Sequence, residues 1–306
     1  MKKLLAILFV ISIVYMPAIC SEIEDDYLDI AGNYCVVGEY NSAMEYLDKI
    51  LKLNPNNQRA ADLKKGLTHI ISGDKTSFIE NVNPLIKQAM EYKKIGDEQA
   101  ELKTLEQATQ EKNAYLAYYY LGNFYAEKND YKNAINAYNS SSSARTDFAP
   151  PYLSSAVILY NIGKFESALN SIDKYLSICP NDDLAYAVKS RIEFSLGHIN
   201  LAKGDNEKAI SLSDCPEYQF DRGKILYMEG KYTEAKELFT KLLPQIQTTK
   251  IYEYMGLCDY ANEDYTKALM NFDKAILLSN DDEYLENKYN EIKQLLENKQ
   301  NGEIQN

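Results

Sequence analysis

Tryptophan is absent from this 306-residue chain, and histidine occurs only twice, at His69 and His198. Neither histidine belongs to an H-E-x-x-H pattern or a Cys/His cluster, so the sequence offers no zinc-protease helix and no zinc-finger spacing. Glycine is sparse at 13 residues, and G-x-x-x-x-G-K-[ST], G-x-G-x-x-G and G-x-S-x-G are all missing. Those absences remove the common phosphate-cradling loops and the nucleophile elbow. Basic residues number 33 against 45 acidic ones, which leaves a formal charge of −12. A chain of that sign lacks the electrostatic footprint of a nucleic-acid binder, whose affinity rests on phosphate contacts. The acidic clusters Glu24-Asp25-Asp26 and Asp281-Asp282-Glu283 lack the ligand spacing of a calcium loop. Asp281 and Asp282 read instead as caps for a terminal helix, where carboxylates accept orphan N–H groups. Asn139-Ser140-Ser141 matches a glycosylation sequon, but inside a Ser run on an expected helix. No cofactor, metal or catalytic residue is expected.

The residues that are present describe a globular chain. Apolar residues make up 45% and charged residues 25%, enough to bury a sizeable core. Tyrosine supplies 26 of the aromatic side chains. The first twenty residues stand apart. Lys2 and Lys3 precede an apolar stretch from Leu4 to Met16, and Ala18 and Cys20 occupy the −3 and −1 places of a small-residue cleavage site. The stretch is too short for a comfortable membrane span, and no polar face breaks it into an amphipathic helix. Residues 1–20 therefore read as a secretory signal peptide, whose removal takes away two lysines and leaves a charge of −14. Two outcomes stay open at Cys20. Plain cleavage after it is favoured by the poor fit of Pro17 and Ile19 to a lipoprotein signal; lipidation of Cys20 is the other. Export to a bacterial periplasm, envelope or medium follows as an expectation.

A repeat dominates the remainder. Tyr118-x2-Leu121-Gly122-x2-Tyr125 is followed by Tyr131, Ala134 and Tyr138. Tyr152, Ala156 and Leu159 are followed by Gly163, Phe165, Ala168, Ile172 and Pro180, and Tyr252, Met255 and Gly256 by Tyr265, Ala268 and Phe272. The same phase holds at Tyr27 to Pro55 and at Gly223 to Phe239, and more weakly around Leu85 to Ala108, where Glu101 stands in the small-residue place. Small residues allow close helix approach, while large ones at i, i+3, i+4 and i+7 give each helix one apolar face. Gly38, Asn129, Gly163 and Gly230 fit helix C-caps with positive φ. Pro55 and Pro180 stop second helices.

These residues resemble the tetratricopeptide repeat (TPR), with Tyr in place of its usual Trp. The resemblance implies an all-α, right-handed superhelical solenoid of six or seven helical hairpins, each buried against its neighbours. Units are expected near 24–57, 82–114, 115–148, 149–182, 190–215, 216–248 and 249–282. Residues 58–81 form an irregular helix and loop, 283–298 a capping helix, and 299–306 a frayed tail. The step from Ala168 to Ala209 is 41 residues and the next, to Ala235, is 26, so the unit around Ala209 is expected to have a long first helix and a short second one.

TPR proteins line a concave groove with first-helix positions. Carried onto this register, those positions hold Tyr119, Asn123, Leu153, Val157, Tyr160, Asn161, Phe194, His198, Phe220, Lys224, Tyr227, Leu257 and Tyr260. Two readings stand side by side: a groove that binds a protein or peptide, and aromatics displayed for stability alone. The family's carboxylate clamp is echoed by Asn123 and Asn161, but Tyr119 stands where Lys is wanted, so that clamp is not expected. The expected function is a non-catalytic exported scaffold for a protein or peptide partner, basic if charge steers it. The rival is a lipid-anchored structural part of an envelope assembly, with membrane contact through Cys20 alone. The chain shows no room for a catalytic domain of its own. Finally, Cys179-Pro180 and Cys215-Pro216 would both end second helices in successive units. They read either as a disulfide or as small apolar caps on the core, since packed helix axes about 8–10 Å apart strain the 4.4–6.8 Å Cα reach of a disulfide.

Overall fold

The computed structural model describes residues 28, 31, 40–55, 57–71, 84–112, 114–246, 248–279 and 282–304. Among these residues there are fifteen helices and no strand. Residues 1–20, with the cleavage site and Cys20, lie outside the described residues, as do Gly38 and the loop after residue 71. The helices fall into pairs. Helix α1 (Tyr40–Leu53) packs on α2 (Gln58–Ile71). Further pairs follow: α3 (Pro84–Ile95) with α4 (Glu98–Ala108), α5 (Tyr115–Glu127) with α6 (Tyr131–Ala144), and α7 (Pro150–Asn161) with α8 (Phe165–Ile178), on which α9 (Asp183–Ser195) packs; then α10 (Ile199–Leu212), which packs on α11 (Pro216–Met228), α11 with α12 (Tyr232–Leu242), and α13 (Thr249–Ala261) with α14 (Tyr265–Leu278). Helix α15 (Glu283–Ile304) packs on α14.

Local chemistry explains the hairpins. Asp97, Asp130 and Asp264 cap second helices by accepting from the N–H of Ala100, Asn133 and Lys267. Each satisfies one of the donors that a helix start leaves orphaned. The turn before them needs a left-handed residue. Gly197 supplies it at φ 80°, and Glu263 does so at φ 59°, where a side chain costs conformational energy. Asp264 N–H then reaches back to Asp259 C=O at 2.9 Å, closing the helix end. Asp282 accepts from the N–H of Tyr284 and Leu285, which is the terminal cap expected there.

Within a hairpin the two helices meet at a small residue facing a large one. A Cβ on Gly122 would lie 2.5 Å from the Tyr138 ring, and one on Gly223 would lie 2.4 Å from Phe239. No side chain fits there. Ala134, Ala168, Ala202, Ala235 and Ala268 each occupy the fourth position of a second helix, Ala43 occupies the fourth position of α1, and all six are fully buried.

That register corrects the reading of the unit near 190–215. Helix α9 has 13 residues and α10 has 14, so neither is unusual. The repeat residue is Ala202, which lies 34 from Ala168 and 33 from Ala235. Ala209 sits seven residues further along the same helical face and is equally buried, and two helical turns bring a residue back to nearly the same direction. The helices on either side of that turn therefore run over 183–195 and 199–212. The end of the chain is corrected as well, since α15 continues to Ile304 instead of fraying from residue 299.

The described residues form two compact units, which divide between residues 196 and 197. In the first, Leu153, Ile172, Leu176, Val188 and Ile192 join α7, α8 and α9 in one core. In the second, Phe239, Leu242 and Met255 join α12 to α13, and Phe272 packs with Leu285 and Ile292 of α15. Helix α15 thus covers the apolar face that α14 would otherwise leave bare. Among the described residues, no helix is long and apolar enough to cross a membrane.

Candidate functional site

First helices lie beside one another within each unit: α7 touches α9, and α11 touches α13. The expected groove residues on these rows do not share one fate. In the first unit Tyr119, Asn123, Leu153 and Val157 are buried. Tyr119 meets Phe148 edge-on at 5.4 Å and Tyr138 at 5.9 Å. The Tyr138 hydroxyl donates to Asn123 Oδ1 at 2.7 Å. Burial pushes the hydroxyl pKa of both tyrosines well above the ordinary range. These four positions are packing residues, because the next hairpin and the Phe148 join close over them. Tyr160 is half-buried against Phe165 at 5.7 Å, Phe194 is half-buried, and Asn161 is exposed as the last residue of α7.

His198 is not on a first helix. It is the exposed N-cap residue of α10, after the left-handed Gly197, because the α9–α10 turn falls at 196–198. The Cys179–Cys215 bridge is also corrected. Cys179 is a thiol at the C-terminal end of α8, whereas Cys215 is the N-cap of α11. One closes a second helix and the other opens a first helix, so they are not equivalent ends. Cys258 is buried in the core, and burial pushes its thiol up to about 12, which leaves it unreactive.

In the second unit the first-helix row stays partly open. Phe220, Lys224, Tyr227, Leu257 and Tyr260 are all half-buried. Sequence reasoning missed Tyr254, which joins them. It stands nearly perpendicular to Phe220 at 5.8 Å and to Tyr227 at 5.9 Å. Its signal was its place two residues beyond Tyr252, on the side of α13 that turns toward α11. Asp221 and Glu253 flank it. Each is buried and paired with a lysine three residues away, Lys224 at 3.0 Å and Lys250 at 2.7 Å. Burial, then Glu253 and Asp221, pushes the Tyr254 hydroxyl up to about 12. It therefore stays neutral and can donate as well as accept.

Two further buried carboxylates are tied to their neighbours. Asp259 pairs with Lys236 and accepts from Asn271 at 2.8 Å. Asp183 pairs with Arg59 at 3.6 Å. Among the described residues, no group of His, Cys, Asp and Glu is arranged to hold a metal ion.

A stack of antiparallel helical hairpins, each repeating about every 34 residues around a buried alanine, defines a helical-repeat protein. The family model for the tetratricopeptide repeat matches residues 37–57 and 115–147. The chain carries tetratricopeptide repeats in both stretches. It is 26% identical over 284 residues to TPR repeat-containing protein MJ1428 of Methanocaldococcus jannaschii, a match covering 87% of this chain and 48% of that one. The chain thus spans about half the length of the curated relative it matches. Among solved structures, the Cut9–Hcn1 hetero-tetramer of APC/C matches 92% of this chain and 52% of its own, at 18% identity and a TM-score of 0.54. MamA 41-end from Desulfovibrio magneticus RS-1 matches 54% of this chain and 96% of its own, at 19% identity and a TM-score of 0.49.

Proposed function

We propose that this chain is an exported, non-catalytic scaffold that holds a segment of a partner protein against its first helices. The observation that carries this reading is the row of half-buried aromatics on α11 and α13. Phe220, Tyr227, Tyr254 and Tyr260 present ring surface that the neighbouring hairpins leave uncovered. Tyrosine and phenylalanine on a rigid helix face suit recognition, because they offer large contact area at small entropic cost. A charge of −14 after removal of residues 1–20 would steer a basic partner toward it. Export rests on the pattern of residues 1–20.

A photo-crosslinking residue at Tyr227 or Tyr260, compared with one at Leu277, tests the face. Leu277 lies on a second helix and is 76% exposed. Partner adducts are expected at the two first-helix positions and not at Leu277. Equal or reversed labelling would overturn the reading. Mass spectrometry of the mature N-terminus tests export: a chain beginning at Ser21 supports cleavage, a diacylated Cys20 supports the anchored form, and an intact Met1 in the recovered protein counts against both.

A further inference from the structure

We propose that Arg59 and Asp183 form an ion-pair clasp, which ties α2 to the start of α9 and holds the inner side of the first unit closed. In a repeat stack each hairpin meets mainly its neighbours. This pair departs from that rule. Arg59 Nε lies 3.6 Å from Asp183 Oδ1, although the pairs α3–α4, α5–α6 and α7–α8 stand between α2 and α9 along the chain. Both ends of the contact belong to one layer. Gln58 follows Ala43 by 15 residues, as Asp183 follows Ala168 by 15, so α2 begins where a first helix begins. That layer is the inner one. Helix α7 touches α9, and no two successive second helices pack as closely among the described residues. A stack whose helices crowd on one side curves toward that side.

Each end is fixed by its own surroundings. On α2, Asn57 Oδ1 accepts from the Ala60 N–H at 2.9 Å and sets the helix start. Ala60 and Leu67 root the helix in the core it shares with α1. Arg59 brings a cation into the first turn of α2, where the helix dipole disfavours it, and the carboxylate opposite offsets that cost. Asp183 takes the first position of α9, where the dipole favours an anion. The joint beside it is braced. One carboxylate oxygen of Asp182 accepts from the Ala185 N–H at 2.9 Å, and the other accepts from the Tyr175 hydroxyl at 2.6 Å. Arg59 also acts electrostatically on Tyr175, so its guanidinium faces α8 as well as α9. Asp183 is 6% exposed. A carboxylate so nearly buried is costly to leave without a cation, which favours the closed form. The Arg59 side chain is 26% exposed, so salt still reaches the pair. Among the described residues the core of α1 and α2 is separate from that of α7, α8 and α9. Release of the ion pair therefore leaves both cores intact.

Hydrogen exchange read by mass spectrometry on the full chain tests the clasp, in the parent, Arg59→Gln, Asp183→Asn and the double variant. Each single substitution should speed exchange about tenfold at both ends, in peptides from α2 and from the start of α9. Peptides from α14 should keep the parent's rates. The double variant should match the singles instead of multiplying their effects, because one pair is broken once. Rising salt should speed exchange at both ends of the parent and leave the double variant unmoved; the parent's response needs no substitution, so it decides the matter even where a variant folds poorly. If each substitution loosens only its own helix, if the two effects multiply, or if salt leaves the parent's α2 and α9 unchanged, the clasp is wrong. The crosslinking test of the scaffold reading uses α11 and α13 and does not involve this pair, so either can fail alone.

Discussion

The α5–α6 hairpin and the α11–α12 hairpin are built on the same positions and finish differently. Tyr119, Gly122, Asn123 and Tyr138 in the first correspond to Phe220, Gly223, Lys224 and Phe239 in the second. The following first helix adds Ser154 in one case and Tyr254 in the other. In the α5–α6 hairpin the hydroxyls lie on the inner rings. Tyr138 donates to Asn123, and Tyr119 Oη, Asn123 Nδ2 and Ser154 Oγ converge in the core with no well-formed hydrogen bond among them. The small Ser154 and the inserted Phe148 let that group close. In the α11–α12 hairpin the inner rings are plain phenylalanines. The hydroxyl belongs to Tyr254, at the half-open edge, and the join before α13 holds the capping Thr248 where α7 is preceded by Phe148. One repeat spends its polar groups inside its core, and the other presents them on its surface. Repeat position fixes where a side chain points, while residue identity decides whether the face is closed.

The largest effects should come from what the two hairpins share. Tyr138→Ala and Phe239→Ala each remove a fully buried ring facing a glycine. Each should cost about 3–5 kcal/mol in urea unfolding. A loss below about 1 kcal/mol in either would contradict the shared register.

The next effect should split them. Asn123→Ala strands the buried Tyr138 hydroxyl, so a loss of about 1–3 kcal/mol is expected. Lys224→Ala, at the equivalent place, leaves the buried Asp221 carboxylate without that lysine and should cost more than that. Equal losses would erase the distinction between a neutral and a charged inner pair.

Acidity should separate the units too. Glu101 occupies the alanine place of α4, and burial pushes its carboxyl up to about 7 from 4.5. The folded chain then holds a proton that the unfolded chain releases, so stability should fall as pH rises between those values and level off above. Glu101→Ala should remove that fall and stabilise the chain at pH 8 by roughly 1–2 kcal/mol, and by little at pH 5. A parent and variant with parallel pH–stability curves would refute it. In the second unit, Lys267 holds the Asp264 carboxyl below its usual range, and Lys231 and Lys203 do the same for Glu229. Those groups support folding above the unfolded pKa and lose that support as pH falls through the folded one. The smallest effect is local. Glu263→Gly relieves the left-handed backbone at the α13–α14 turn and should stabilise by up to about 1 kcal/mol. The corresponding Gly230→Ala should destabilise, because its backbone has φ 77°.

Much of the fold was legible in the chain, because a repeat states its rule several times. The glycines facing Tyr138, Phe239 and Phe272 and the left-handed Gly163, Asn129 and Gly230 all fall where the spacing puts them. The register slipped where two alanines, 202 and 209, share a helical face and a seven-residue offset mimics the period. The site was legible only as a set of positions. Tyr119, Asn123, Leu153 and Val157 occupy those positions and are nevertheless buried, and Tyr254, outside the set, completes the open face.

The sequence by itself therefore determined the helices, their pairing and the residues that let each pair approach, since these depend on contacts within one hairpin. Only the tertiary structure decided which first-helix side chains are covered. That depends on the size of a residue such as Ser154 or Tyr254 in the next hairpin, and on a join such as Phe148, neither of which the period of the repeat encodes. Burial is a property of neighbours, and the neighbours become known only when the hairpins are stacked.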